Sequence, residues 1–258
     1  MARHRPLPLI LAIQIALAMG AGPARADDMA CGPIDAVTGQ AVADAPAIIF
    51  TGGLDAAFRQ TCRELAQAAD DTDPPACRIK ESGAVGAIGA TTTHYALYCL
   101  GPEAAAGACE LRGAALFLED RASGRISRFL TRLDEPDLRA SAPSMLDSGG
   151  DIVLELPVSV SGAGAFDDND VFVFEQDHWT RLDTQCWQDA LARRLPHGIY
   201  IDKGATLNLG RLDAQAWLSR DGDAECCPTG GLAHVTLKRA GHHLEMESLR
   251  VDPEARPD

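Results

Sequence analysis

Eight cysteines, all beyond residue 30 and closing on an adjacent pair, restrict what this chain can fold into more than any other feature. They are Cys31, Cys62, Cys77, Cys99, Cys109, Cys186, Cys226 and Cys227. An even cysteine count in an exported chain reads as a disulfide framework, with a connectivity that sequence alone leaves open. Locality ranks the pairs. Cys62 and Cys77 flank the turn-rich Asp70-Asp71-Thr72-Asp73-Pro74-Pro75, and Cys99 and Cys109 flank Gly101-Pro102 and a run of small residues. Cys31, Cys186, Cys226 and Cys227 then remain. Neighbouring cysteines cannot reach relaxed disulfide geometry with each other. Cys226 and Cys227 are therefore expected to bond to Cys31 and Cys186, in an order left open. Each closed loop contributes about 3 kcal/mol in the chain-entropy picture.

The oxidising compartment is itself read from the start of the chain. Arg3, His4 and Arg5 precede an apolar run over 7–18, broken only by Pro8 and Gln14, and Ala24-Arg25-Ala26 supplies a small-x-small cleavage site. The run is too short to span a bilayer. Asp27-Asp28-Met29-Ala30 before Cys31 is not the small apolar stretch that a lipid anchor needs. The expected organisation is a signal peptide over 1–26, a single β-rich domain over 27–252 and a loose tail over 253–258, with the mature protein in the periplasm or outside the cell. No membrane span is expected after cleavage. The leader takes away three arginines and no acids, so the net charge moves from −14 to −17. Nucleic acid and anionic lipid are disfavoured as partners, because both need a positive field. An unidentified protein or small ligand is the expected partner, and the oligomeric state is open.

Periodicity gives the fold class. Over 55–69, Phe58, Cys62, Leu65 and Ala69 share one helical face, and Asp55 is placed to cap the first turn. A second helix is expected over 184–195, where Trp187, Leu191 and Leu195 align. Strands are expected over 45–50, 95–100, 114–119, 126–133, 199–201, 206–209, 216–219, 233–237 and 244–251. The runs 171–174 and 179–182 read as a hairpin. Residues 152–160 alternate in one long strand, which Pro157 marks as an edge strand or a bulge. The class is mainly antiparallel β with one or two short helices, disulfide-stapled. Two similar halves are an option, because residues 109–134 laid on 227–252 without gaps give seven identities, among them Cys109/Cys227, Gly113/Gly231, Ala115/Ala233, Arg132/Arg250 and Asp134/Asp252.

Around Cys226-Cys227-Pro228-Thr229-Gly230-Gly231 the chain resembles exported bacterial proteins that carry such a motif ahead of a C-terminal β-hairpin. The likeness covers 179–251. It implies a secreted, β-rich, disulfide-bonded protein and brings no catalytic residue to carry over.

Candidate chemistry is thin. Asp147-Ser148-Gly149-Gly150 is similar to the nucleophile loop of chymotrypsin-like proteases, with His94, Asp120 and Asp134 upstream as potential partners. Leu146 stands where that loop wants glycine, and too few residues separate His94 from Ser148 for a double barrel. A turn is the simpler reading, and a hydrolase centred on Ser148 stays a distant alternative. Asp167, Asp168, Asn169 and Asp170 offer hard oxygens suited to calcium, as do Asp221, Asp223 and Glu225, but neither run follows the helix-loop-helix pattern. Cys226 and Cys227 with His234, His242 and His243 would suit copper or zinc, but not at Cys-x-x-Cys spacing. No phosphate-binding glycine loop and no dinucleotide fingerprint is present. A non-catalytic exported binding or scaffold protein is the leading expectation. A calcium- or transition-metal-binding module is the alternative, and no cofactor other than calcium is considered for the acidic loops.

Overall fold

The computed structural model describes residues 48–70, 72–101, 109, 111–134, 138–160, 169–201, 204–224 and 227–256. The expected leader, Cys31, Asp167, Asp168, Glu225 and Cys226 lie outside the described residues. The first segment runs β1 (Ile48–Phe50), α1 (Leu54–Ala69), β2 (Cys77–Ile88), β3 (Thr91–Leu100), β4 (Leu111–Asp120) and β5 (Arg125–Asp134). These strands form one antiparallel sheet in the order β1-β5-β4-β3-β2. The middle segment holds β6 (Leu138–Ala140), β7 (Ser144–Ser148), β8 (Asp151–Leu156), β9 (Val158–Val160), β10 (Asp170–Glu175) and β11 (His178–Leu182). Its main sheet is β11-β10-β8-β7, and β6 pairs β9 separately. The last segment is α2 (Cys186–Arg194), β12 (Ile199–Ile201), β13 (Thr206–Asn208), β14 (Asp213–Arg220), β15 (Gly231–Ala240) and β16 (His243–Asp252). Here β14-β15-β16 is the ladder, with β12 and β13 both on the free side of β14. Over the described residues the chain is mainly antiparallel β with two helices, as its periodicity predicts.

Three cores hold these layers together. Phe58, Cys62 and Leu65 of α1 pack on Ala96, Tyr98, Ala115 and Phe117, on one face of the first sheet. Phe50 and Phe58 both meet Phe117 edge-on, with centroids 6.0 and 5.0 Å away. Tyr95, Leu97, Ala114 and Leu116 on the opposite face meet Leu154, Leu156, Phe172 and Trp179 of the middle sheet. The middle sheet also turns Val153 and Val171 toward Trp187 and Leu191 of α2 and toward the third sheet. Covered on both faces, β3 is buried from Thr93 to Leu100, so it reads as a continuous apolar run rather than an alternation.

The structure revises several sequence expectations. Residues 152–160 are not one strand. Pro157 has no N–H for the ladder, so β8 ends before it and the chain changes sheet into β9. β8 is interior rather than an edge, and both faces of its sheet are covered, which is why Val153 is buried as well as Leu154 and Leu156. Asp55 sits within the first turn of α1, and Gly53 holds the capping position without a side-chain bond. β2 is a strand that periodicity missed. It is an edge strand with register slips at Ile79/Glu81 and Ala84/Gly86, and these erase the alternation.

The internal echo has a structural counterpart. Between β4 and β5 the pairing passes from Leu116↔Leu130 to Phe117↔Arg128, leaving Phe129 as a bulge. Between β15 and β16 it passes from Thr236↔Ser248 to Leu237↔Met246, leaving Glu247 as the bulge. Phe129 and Glu247 occupy the same place in the gapless alignment. The preceding strands are displaced by two further residues, because the β15–β16 turn is shorter than the β4–β5 turn. Arg132/Arg250 and Asp134/Asp252 are therefore register equivalents, whereas Gly113 corresponds to Ala233 and not to Gly231.

The Asp223 carboxylate ties Thr229, in the described part of the Cys-Cys-Pro-Thr-Gly-Gly loop, back to the end of β14. Asp223 Oδ2 accepts from the backbone N–H of Arg220 and of Thr229, both at 2.7 Å, and Oδ1 accepts from the Thr229 hydroxyl at 2.7 Å. The Arg220 amide, then the Thr229 hydroxyl and amide, hold the Asp223 carboxyl below its ordinary range. A depressed folded value means that this support is present above the ordinary carboxylate range and is lost as pH falls through the lower, folded value. The Arg220 and Thr229 amide resonances are thus expected to keep their positions through the ordinary titration range of aspartate and to shift only below it. Asp223→Asn should produce part of that shift at neutral pH. Amide spectra over an acid titration check both.

Candidate functional site

A cleft of about 550 Å³ opens beside α1. Its floor is the Cys62–Cys77 disulfide, which ties the middle of α1 to the start of β2 at a Cα separation of 5.7 Å. Ala66 and Gln67 of α1 form one wall, and Pro74, Pro75 and Ile79 form the other. The second wall is fixed by an Asx turn. Asp70 Oδ1 accepts from the Thr72 amide at 2.9 Å, the Thr72 hydroxyl at 2.8 Å and the Asp73 amide at 3.1 Å. The Thr72 hydroxyl, followed by the two amides, holds the Asp70 carboxyl below its usual range. Arg59 and Arg63 stand at the rim, one helical turn apart on the exposed side of α1. No carboxylate among the described residues forms an ion pair with either. The acid next in sequence, Glu64, turns instead to Arg128 at 2.5 Å. Burial pushes the Glu64 carboxyl up, but hydrogen bonds from Arg128 and Gln60 bring it below its usual range.

A second cleft, of about 570 Å³, lies where four hairpin turns converge. It is polar and already neutralised from within. Arg239 Nε donates to Asp151 at 2.7 Å and Nη1 to the Gly241 carbonyl at 2.9 Å, while His242 Nδ1 stands 3.1 Å from Glu175.

The residues singled out by sequence are scattered. Ser148 is buried and its hydroxyl donates to the Leu209 carbonyl at 2.6 Å, whereas His94 Nε2 stands 2.8 Å from Glu119. No hydrogen bond joins the serine to the histidine. Asp147-Ser148-Gly149-Gly150 is the β7–β8 turn, in which Asp147 accepts the Gly150 amide at 2.9 Å. Asn169 accepts the Val158 amide at 2.9 Å and donates to Glu155 at 2.6 Å. Asp170 is buried between Arg132, at 2.6 Å, and Arg181. Its two oxygens thus face guanidinium groups. His242 and His243 diverge toward Glu175 and Glu245, and His234 lies on β15, away from both. Among the described residues no group of three or more His, Cys, Asp or Glu is placed to hold a metal ion.

The cysteines fare differently. Cys62–Cys77 and Cys99–Cys109 are bonded, Cys186 and Cys227 are disulfide-bonded, and no described cysteine is free. No helix among the described residues is long and apolar enough to cross a membrane. Sequence reading did not find the α1 cleft. Its only signal was the pair Arg59 and Arg63 on the polar side of an amphipathic helix, which ordinarily marks a solvated surface. No family model, curated protein or solved structure matches the chain.

Proposed function

We propose that this chain is an exported protein of the periplasm or extracellular space that binds a small partner without transforming it, and that the α1 cleft is where the partner sits. The composition of the cleft carries this reading. Among the described residues its lining holds no carboxylate, imidazole or hydroxyl to move a proton, and both of its sulfurs are joined in a disulfide. What remains is an apolar concavity with a few polar groups at the rim, of a size that takes small ligands. The export signal and the framework of bonded cysteines support an oxidising destination. A serine-directed fluorophosphonate probe distinguishes binding from hydrolysis. No labelling is expected on the folded protein, and labelling that disappears in Ser148→Ala would overturn the non-catalytic reading.

A further inference from the structure

We infer that the α1 cleft takes a single-chain anionic amphiphile of the fatty carboxylate type, with its chain against Ala66, Pro74, Pro75 and Ile79 and its carboxylate at Arg59 and Arg63; this rests on the binding reading above. The walls choose the chain. Ala66 is buried, Ile79 is 37% exposed, and the two prolines have no N–H to offer. A peptide laid here would leave its backbone groups without partners along the proline wall, whereas a hydrocarbon chain needs none.

The rim chooses the headgroup. Arg59 and Arg63 are four residues apart on a helix, so their Cβ atoms lie about 5–6 Å from one another and both forks can reach one carboxylate. Guanidinium groups bind carboxylates in bidentate geometry, and contact at an apolar wall strengthens the pair. The chain as a whole carries a net charge of −14, which repels extended anionic surfaces. That field is screened beyond about 8 Å in physiological salt, so at contact distance the two arginines dominate. Preference for an anion by so acidic a protein would therefore be a property of the cleft and not of the overall charge.

The test is titration calorimetry of the mature oxidised protein with dodecanoate and with dodecyltrimethylammonium, each below its micelle concentration. Saturable one-to-one binding of dodecanoate is expected, with the ammonium analogue weaker by about tenfold or more, a difference of about 1.4 kcal/mol. The Arg59→Gln/Arg63→Gln double variant, altered only at exposed positions, should keep its melting temperature and lose that preference. Gln67→Trp, which fills the cleft from its exposed edge, should abolish binding of both probes. Equal binding of the two probes, blocked by Gln67→Trp, would overturn the headgroup assignment and leave the cleft as a binding site. No saturable binding of either probe, or binding that Gln67→Trp leaves unchanged, would overturn the cleft itself.

Discussion

Asp170→Ala is expected to cost about 3–5 kcal/mol and to lower the melting temperature by roughly 10 °C. Asp170 and Asp134 have side chains only 4% and 0% exposed, and both reach Arg132 at 2.6 Å. Burial works against the charge on Arg132, but Asp170 and Asp134 offset it and raise its affinity for the proton above the ordinary value. Asp170 also takes Arg181, and Asp134 takes the Ala140 amide at 3.3 Å. The group thus joins β5, β6, β10 and β11, which is the seam between the first and middle sheets. Removing Asp170 takes a buried carboxylate away from the Arg132 guanidinium, whose own side chain is only 16% exposed. Urea unfolding of the oxidised protein should show a lower midpoint at an unchanged slope. A loss below about 1 kcal/mol would mean that the seam is as wet as an ordinary surface pair. The register-equivalent residues, Arg250 and Asp252, are exposed and half-buried respectively. The same substitution at Asp252 should stay within about 0.5 kcal/mol, as surface changes do.

Gly231→Ala is the second large effect, at about 4 kcal/mol from backbone strain and overpacking together. Gly231 has φ of +98°, and an added Cβ would stand 2.2 Å from the Asp252 carbonyl oxygen and 2.8 Å from Pro253 Cα. None of those atoms belongs to a flexible side chain. At Gly230 the added Cβ would lie 2.6 Å from the Leu218 carbonyl oxygen, the same oxygen that accepts the Gly230 N–H at 2.7 Å. The double glycine therefore lets the loop after the tandem cysteines press against β14 on one side and the end of β16 on the other. Gly222→Ala separates the two causes. Its φ is +91° but nothing lies within 4 Å of the new atom. It should show the strain alone, about 1 kcal/mol. Equal effects at Gly222 and Gly231 would contradict the close approach.

How far the sequence anticipates the molecule depends on what each signal measures. α1, α2, the β10–β11 hairpin and the last hairpin were legible because each hides one stripe or one face, and their apolar residues keep the matching period. β2 was not, because Lys80, Glu81, Ser82 and Gly83 lie on an edge where both sides stay accessible and two register slips intervene. The continuous alternation over 152–160 hid the change of sheet at Pro157, since alternation reports which face a residue takes and not which sheet receives it. At the site, the Cys62–Cys77 pair followed from loop locality. The cleft that this bond floors did not, because it is assembled from a helix, a proline turn and an edge strand whose residues carry no common pattern. Asp170 looked like a potential calcium ligand in sequence. Only the packing of β5 against β10 shows that its partners are arginines.

If the sulfurs form an oxidised frame in an exported chain, Cys226-Cys227 is a joint and not a reactive centre. Non-reducing peptide mapping with intact mass, on protein recovered from the exported fraction, tests it most directly. The expected product is a chain beginning at Asp27, with Cys62–Cys77 and Cys99–Cys109 intact, Cys226 and Cys227 each bonded to a distant cysteine, and no alkylatable thiol. A retained leader, or free thiols at Cys226 and Cys227, would contradict it.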